Sequence, residues 1–567
     1  MTEIEHRRSE LVEERQSWKK DWRELSRYFL PRKCRFLEDG ERSNEGGLQR
    51  GSLDSTGIYA MRDLAAGMHG GMTSPARPWF KLSLQNKEME GGREVRLWLD
   101  EVENRMRDIL HRSNFYNAIH QQYEELATFG TACMFELPDE RTGVRFHTLT
   151  AGEYVLDADE HGRVDTVFRT MDMTLRQLVR KFGLASLPEA LRNMWESQIN
   201  WNERFRVVHA VFPRNDRDHN KIDGKNKPWA SVYYLDGHGG GRSARSGSAE
   251  YPHLISEGGY DEFPAFGVRW DVAGGDIYGR SPGMDTLPDC VLLHSMTASM
   301  LKALHKEVDP PMIVAGDKKD VNLLPGGVTF VSAVHGQGQG VYPALQLRHN
   351  IQGTAAAIGQ VQQKVREGLF NDLFRMLLDS DRRNVTAREV AAKEEEKMVL
   401  IGPVLERLHD ELLIPVISRT FNLMAAGNYL PPWPEEMGEQ PLKVEFVSVL
   451  AQAQKMVGTG AIERYVGFVG QMAQMAPEIL DVVNPDKVAD AYGDYLGVDA
   501  KIIRSQEERD QIREQRAQAQ AAAKQQQEQM MAAQVAMQGV QALGGAKMGQ
   551  GSALDALMGA GGDANAG

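Results

Sequence analysis

The residues best placed to do chemistry are a histidine-glycine run and a serine downstream of it. His238-Gly239-Gly240-Gly241 has the form of an esterase oxyanion loop, and Gly279-Arg280-Ser281-Pro282-Gly283 has the form of a nucleophile elbow. Together they would make a serine hydrolase acting through Ser281. The residue after such a nucleophile must lend its backbone N–H to the oxyanion, and Pro282 has none. The preceding residues, DVAGGDIYGR, are also too polar and glycine-rich for the buried strand that an elbow needs, so a loop is expected here and hydrolysis is the rival reading. Asp157, Asp159, His161 and Gly162 occupy positions 1, 3, 5 and 6 of a calcium loop, but position 12 is Phe168 where a bidentate glutamate belongs, so a tight turn is expected. His294 and His305 share a helical face without a third ligand nearby, which favours packing roles. Lys393-Glu394-Glu395-Glu396-Lys397 spreads its acids around a helix as a solvated face would. Gly224-Lys225 is followed by Asn226 and lacks the upstream glycine of a phosphate loop. No cofactor and no metal site is expected.

One charged loop remains, DSDRRNVTAR. Asp379 and Asp381 stand against Arg382, Arg383 and Arg388, a net charge of +1, with Asn384 among them. A solvated turn is one reading. The other is that Arg382 and Arg383 face a polyanion, which becomes attractive only if many copies converge around an axis.

The elements that must position this loop are legible on both sides. Before it, Ile358, Val361, Val365, Leu369, Leu373 and Met376 recur every three or four residues and predict one helix over 350–378. After it, Thr386 and Glu389 form a capping box, each side chain satisfying the other's backbone N–H, which fixes where the next helix begins. Ile401, Leu405, Leu408, Leu412 and Val416 continue that helix, which should bend at Gly402-Pro403 and Pro415, where ladder donors are missing. An antiparallel partner is predicted from Leu287 to Val308, with Leu293, Met296, Met300, Leu304 and Val308 in register over about 33 Å, stopped by Asp309-Pro310-Pro311. Between the two lies a β-like, glycine-rich insertion over 311–349.

The rest reads as α+β and mainly helical. An amphipathic helix is predicted over 3–30, then a polar loop over 38–51. A small-residue helix follows, capped by Asp54 and ending at Gly70-Gly71. Two helices fall within 93–129, divided at Ser113-Asn114, and β-rich runs follow to residue 170. A helix over Thr174–Phe182 precedes two more β-like runs, WNERFRVVHAVFPRN and PWASVYYLDG, and GHGGGRSARSGS reads as an exposed loop. KVEFVSVLAQAQ gives a short strand and a helix. The Gln/Ala-rich and Gly-rich tail from Ser505 should start helical and end disordered.

At 567 residues the chain has room for roughly three or four domains. A net charge of −13 argues against tight bulk binding to nucleic acid. The three cysteines, Cys34, Cys133 and Cys290, are widely spaced, as buried thiols in a reducing compartment would be. Neither a signal peptide nor a membrane-spanning run is expected, so the chain should be made as a soluble cytoplasmic protein.

Several segments together resemble the head-to-tail connector, or portal, proteins of short-tailed bacteriophages. They are LDSTGIYAMRDLAAGMHGGMTSPARPWFKL, TVFRTMDMTLRQLVRKFG, IYGRSPGMDTLPDCVLLHSMTASMLKALHKEVDPPMIV, NVTAREV, LIGPVLERLHDELLIPVISRTF and VEFVSVLAQAQ, in that order. The resemblance implies a homo-oligomeric ring, usually of twelve subunits, at one capsid vertex of a virion, with a channel for double-stranded DNA. It implies a wing over 1–286, stem helices over 287–309 and 350–378, and a clip over 310–349. A channel loop over 379–388 would follow, then a kinked helix and wing return over 389–449, a crown over 450–504 and the tail over 505–567. Implied partners are the terminase large subunit, major capsid and scaffolding proteins, and tail adaptor proteins, with no membrane. Another virion ring or scaffold protein is the nearer rival.

Overall fold

The computed structural model of the chain describes residues 2–37, 53–84, 93–198, 200–221, 223–236, 253–308, 312–314, 341–343, 351–373, 401–434, 442–447, 465–473, 477–496 and 506–544. They fall into two units, Met1–Leu480 and Asp481–Gly567, and the fold mixes helices with antiparallel sheets.

The amphipathic N-terminal run forms two helices, α1 (Thr2–Glu14) and α2 (Gln16–Tyr28), where one was predicted. The break falls at Arg15, whose guanidinium donates to the carbonyl oxygens of Gly152 and Tyr154, contacts that an uninterrupted periodic pattern cannot announce. Helix α3 (Thr56–Met72) runs through Gly70-Gly71 to Met72. Its small residues permit close packing: a Cβ on Gly57 would lie 3.1 Å from the Cys290 sulfur. Helices α4 (Arg93–Arg112) and α5 (Phe115–Phe129) divide where expected. There Asn114 closes the junction by pairing with both the N–H and the C=O of Phe146.

Strands β2 (Thr131–Asp139), β3 (Gly143–Leu149), β4 (Tyr154–Ala158) and β5 (Val164–Thr174) follow, then α6 (Leu175–Phe182), α7 (Glu189–Glu196), β6 (Arg204–Pro213), β7 (Trp229–Leu235), β8 (His253–Tyr260) and β9 (Ala265–Arg269). Helix α6 starts with a full capping box between Thr174 and Gln177. The strands make two sheets, ordered β3-β2-β9 and β4-β5-β6-β7-β8. Strand β1 (Phe80–Leu84) pairs antiparallel with β12 (Leu442–Phe446), tying the early chain to the late chain. One large core joins α2–α5, the three-stranded sheet and the late helices, with Trp22, Trp79, Tyr123 and Phe135 buried inside it. All three cysteines are free and buried.

The second unit contains α11 (Pro485–Leu496) and α12 (Gln506–Gly544), so the Gln/Ala-rich start of the tail is a single helix of 39 residues. The Arg513 guanidinium grips the Asp486 carboxylate with two hydrogen bonds of 2.6 and 2.7 Å.

Candidate functional site

The site follows from the helix pair that carries the charged loop. Helix α8 (Pro282–Val308) begins five residues before the predicted Leu287 and holds Pro288 within its length. Its start explains the motif that imitated a nucleophile elbow. Ser281 is the N-cap: its hydroxyl accepts from the Met284 N–H at 2.9 Å and donates to the Thr128 carbonyl at 2.8 Å. Pro282 takes the first helical position, where a missing N–H costs nothing. Gly279 and Gly130 bring two backbones together: a Cβ on Gly130, at φ +77°, would sit 2.1 Å from the Gly279 oxygen. A buried hydroxyl with both functions occupied is not poised to attack a carbonyl. His238–Gly241 lie outside the described residues.

Helix α9 (Ile351–Gly368) packs antiparallel to α8, with Gly368 against Thr286, so close that a Cβ on Gly368 would lie 2.3 Å from the Thr286 methyl. Between the helices β10 (Met312–Val314) pairs with β11 (Val341–Pro343), the described part of the expected β insertion. The segment before α3 fastens the pair. Asp54 accepts from the Thr56 N–H at 2.7 Å and from Gln362 on α9 at 2.8 Å, while the Leu53 N–H donates to Nδ1 of His294 on α8 at 3.2 Å. Burial alone would raise the Asp54 carboxyl, but these hydrogen bonds outweigh it and hold it below the usual carboxylate range. Burial lowers His294, against a weaker pull from Asp54, and its ring meets Tyr28 edge-on at 5.0 Å. His294 is thus a packing group.

Two features of the pair differ from the periodic reading. The predicted helix over 350–378 is interrupted: α9 stops at Gly368, Leu369 and Phe370 form a turn, and Phe370 has φ +56°. Leu369 and Leu373 are both buried, so the apolar stripe passes straight through a break that it cannot register. On α8 the stripe changes character along its length. Leu293 is 1% exposed, Met296 and Met300 are half-buried, and Leu304 and Val308 are 41% and 78% exposed.

Beyond the loop, the bend expected at Pro415 is a π-turn over His409–Leu413, leading into α10 (Ile414–Ala426). The Ile414 N–H reaches back five residues to the His409 carbonyl, a wider turn that accommodates the donor Pro415 lacks. The turn also presents Glu411 to β9. Arg269 binds that carboxylate through its Nη2 at 2.6 Å and its backbone N–H at 3.0 Å, and Trp270 packs against Phe370 with ring centroids 6.2 Å apart. Adjacent residues therefore hold the two ends of the stretch that contains the charged loop. Pairwise tertiary contacts of this kind leave no periodic trace in a sequence.

Asp379, Asp381, Arg382, Arg383, Asn384, Thr386, Arg388 and Glu389, and likewise the 393–397 run, lie outside the described residues. The Asp157–Gly162 stretch is the β4–β5 turn, where Asp159 accepts from the His161 and Arg163 N–H groups and Gly162 has φ +74°. Asp157 pairs with Arg7 at 2.6 Å. Gly224-Lys225-Asn226 is a short 3₁₀ turn. Among the described residues no group of three or more His, Cys, Asp or Glu could hold a metal ion, and no helix is long and apolar enough to cross a membrane.

Comparison with known proteins adds a family. The family described as bacteriophage head to tail connecting protein matches residues 1–503. The chain is 40% identical to a "Probable portal protein" of Bordetella phage BPP-1 over 519 residues, 91% of each chain. It is 38% identical to a "Portal protein" of Salmonella phage epsilon15 over 561 residues, 98% of this chain and 97% of that one.

Proposed function

Because the chain belongs to the bacteriophage head-to-tail connecting protein family, we infer that it is the portal subunit of a phage capsid, a virion component through which double-stranded DNA enters and leaves the head. The role is structural, and none of its steps needs a catalytic residue. The subunits form a ring, of twelve copies in the usual arrangement, around a central channel. In that ring α8 and α9 are the stem and 310–349 the clip. Residues 379–388 are the loop facing DNA, with Arg382 and Arg383 nearest the phosphates. An acidic subunit favours a sliding duplex, and a narrow girdle of arginines supplies the drag. The clip receives the terminase large subunit during packaging and tail adaptor proteins afterwards. The outer surface meets capsid and scaffolding proteins, and synthesis precedes assembly in the host cytoplasm.

The observation that carries the ring is the exposed end of the α8 stripe. Leu301, Leu304 and Val308 lie within one face of the helix and are exposed in the single subunit. An apolar ridge of this kind is covered economically by the same element of a neighbouring copy. Negative-stain electron microscopy of the purified chain tests the reading. Rings with a central hole are expected, and a population of monomers at micromolar concentration would overturn it.

A further inference from the structure

Three cations and a histidine converge where the two sheets meet α6, and among the described residues no carboxylate pairs with the buried member. Arg169 on β5 is only 6% exposed. Its Nε donates to Nδ1 of His209 at 2.9 Å, its Nη2 reaches the Tyr233 hydroxyl at 3.4 Å, and the guanidinium lies over the Phe135 ring at 4.2 Å. None of these partners carries a negative charge. His209 is fully buried, and burial, then Arg169 and Lys181, hold it well below its ordinary value, so the ring is neutral. With Nδ1 accepting, its Nε2–H donates to Ser231 at 2.9 Å.

Two further cations and His147 stand around this group, on β3 and α6. His147 on β3 stands opposite Phe135 in the strand register, and Arg145, two residues earlier on the same strand, shares that side. Lys181 on α6 places its ammonium 4.3 Å from the centroid of the Tyr233 ring. Burial, then Arg169, Arg145 and Lys181, depress His147, and burial with Arg169 pushes Lys181 down to about 8. Aromatic faces offset part of the cost of a desolvated guanidinium, but a buried cation normally keeps an anion. Among the described residues the groups facing this one are neutral imidazoles, the Cys133 thiol, the Tyr233 and Tyr260 hydroxyls, aromatic rings and the Lys181 ammonium.

We propose that Arg145, His147, Arg169 and Lys181 form a binding site for a single oxyanion, a phosphoryl or carboxylate group that supplies the missing charge. The site is compact, three cations and a histidine from three elements, and a duplex would need an extended track. The guanidinium fork suits a planar or tetrahedral oxyanion, which can take two parallel hydrogen bonds. This assignment is independent of the portal reading.

Trace amine acetylation of the full-length protein at neutral pH, read by mass spectrometry at each lysine, tests the site in inorganic phosphate, in formate and in chloride at matched ionic strength. A bound oxyanion restores the Lys181 proton, so millimolar phosphate or formate should slow its labelling about tenfold while other lysines are unchanged. Stronger protection by phosphate assigns a phosphoryl ligand. Equal protection by formate assigns a carboxylate side chain of another protein. Arg145→Gln and His147→Gln alter exposed side chains and should each weaken the protection about threefold. The proposal is overturned if chloride protects equally, or if protection survives both substitutions, which would mean an adventitious ion only.

Discussion

The base and the outer end of α8 belong to one helix and follow opposite rules. At the base side chains are bonded inward and backbones approach within van der Waals limits: Ser281 serves two partners, Gly130 faces Gly279, and Leu293 is sealed in the core. At the outer end the same stripe continues with Leu304 and Val308 exposed. The first half is finished by the subunit's own fold, and in the proposed ring the second is finished by a neighbouring copy. A periodic pattern predicts both halves alike because it records which residues want cover, not what provides it.

Substitutions should separate the two halves, ranked by their effect on the stability of the single subunit. Gly130→Ala places a Cβ against the Gly279 backbone at a positive φ, so the junction must open. A loss of about 3 kcal/mol or more is expected in chemical denaturation, and near-neutrality would show that the base is not tightly packed. Glu103→Gln, on α4 against β1, probes the packed interior through pH. Burial pushes the Glu103 carboxyl up to about 7, although it accepts from the Leu82 N–H at 2.8 Å. Its stability contribution is therefore complete below the unfolded carboxylate value and is lost as pH rises through about 7. At pH 8 the glutamine variant should be more stable than the parent by about 1–2 kcal/mol, a difference that disappears near pH 4. An unchanged pH profile would remove Glu103 from the account.

Leu304→Asp with Val308→Asp should leave subunit stability within about 0.5 kcal/mol and yet abolish rings in electron micrographs. Rings that survive would place the subunit contact elsewhere. Arg382→Ala with Arg383→Ala should change neither stability nor assembly and should alter the retention of DNA in filled heads. Loss of assembly with normal DNA retention would sink the loop's assigned role.

What the sequence discloses follows from how local the cause is. The division of α4 from α5, the helix opened by Thr174 and the bend near Pro415 all rest on residues within a few positions of the feature. The break at Arg15 was hidden because its cause sits at Gly152 and Tyr154, and the turn at Phe370 because Gly368 must meet Thr286. Strands β8 and β9 escaped for a related reason. Each is selected by a partner, β7 or β2, and neither has an alternating pattern of its own. The charged loop, with its expected capping box at Thr386 and Glu389, lies outside the described residues. The Arg169 cluster was not legible, since its four basic residues come from three elements and form no run.

The anchorage at β9 has a mechanical consequence. Arg269 holds Glu411 and the next residue packs on Phe370, while the Trp270 N–H donates to the Gly130 carbonyl at 2.9 Å. In the language of statics, Phe370 and Glu411 share one abutment. A load reaching both points would act as a couple across that single dipeptide, which is itself bonded to Gly130.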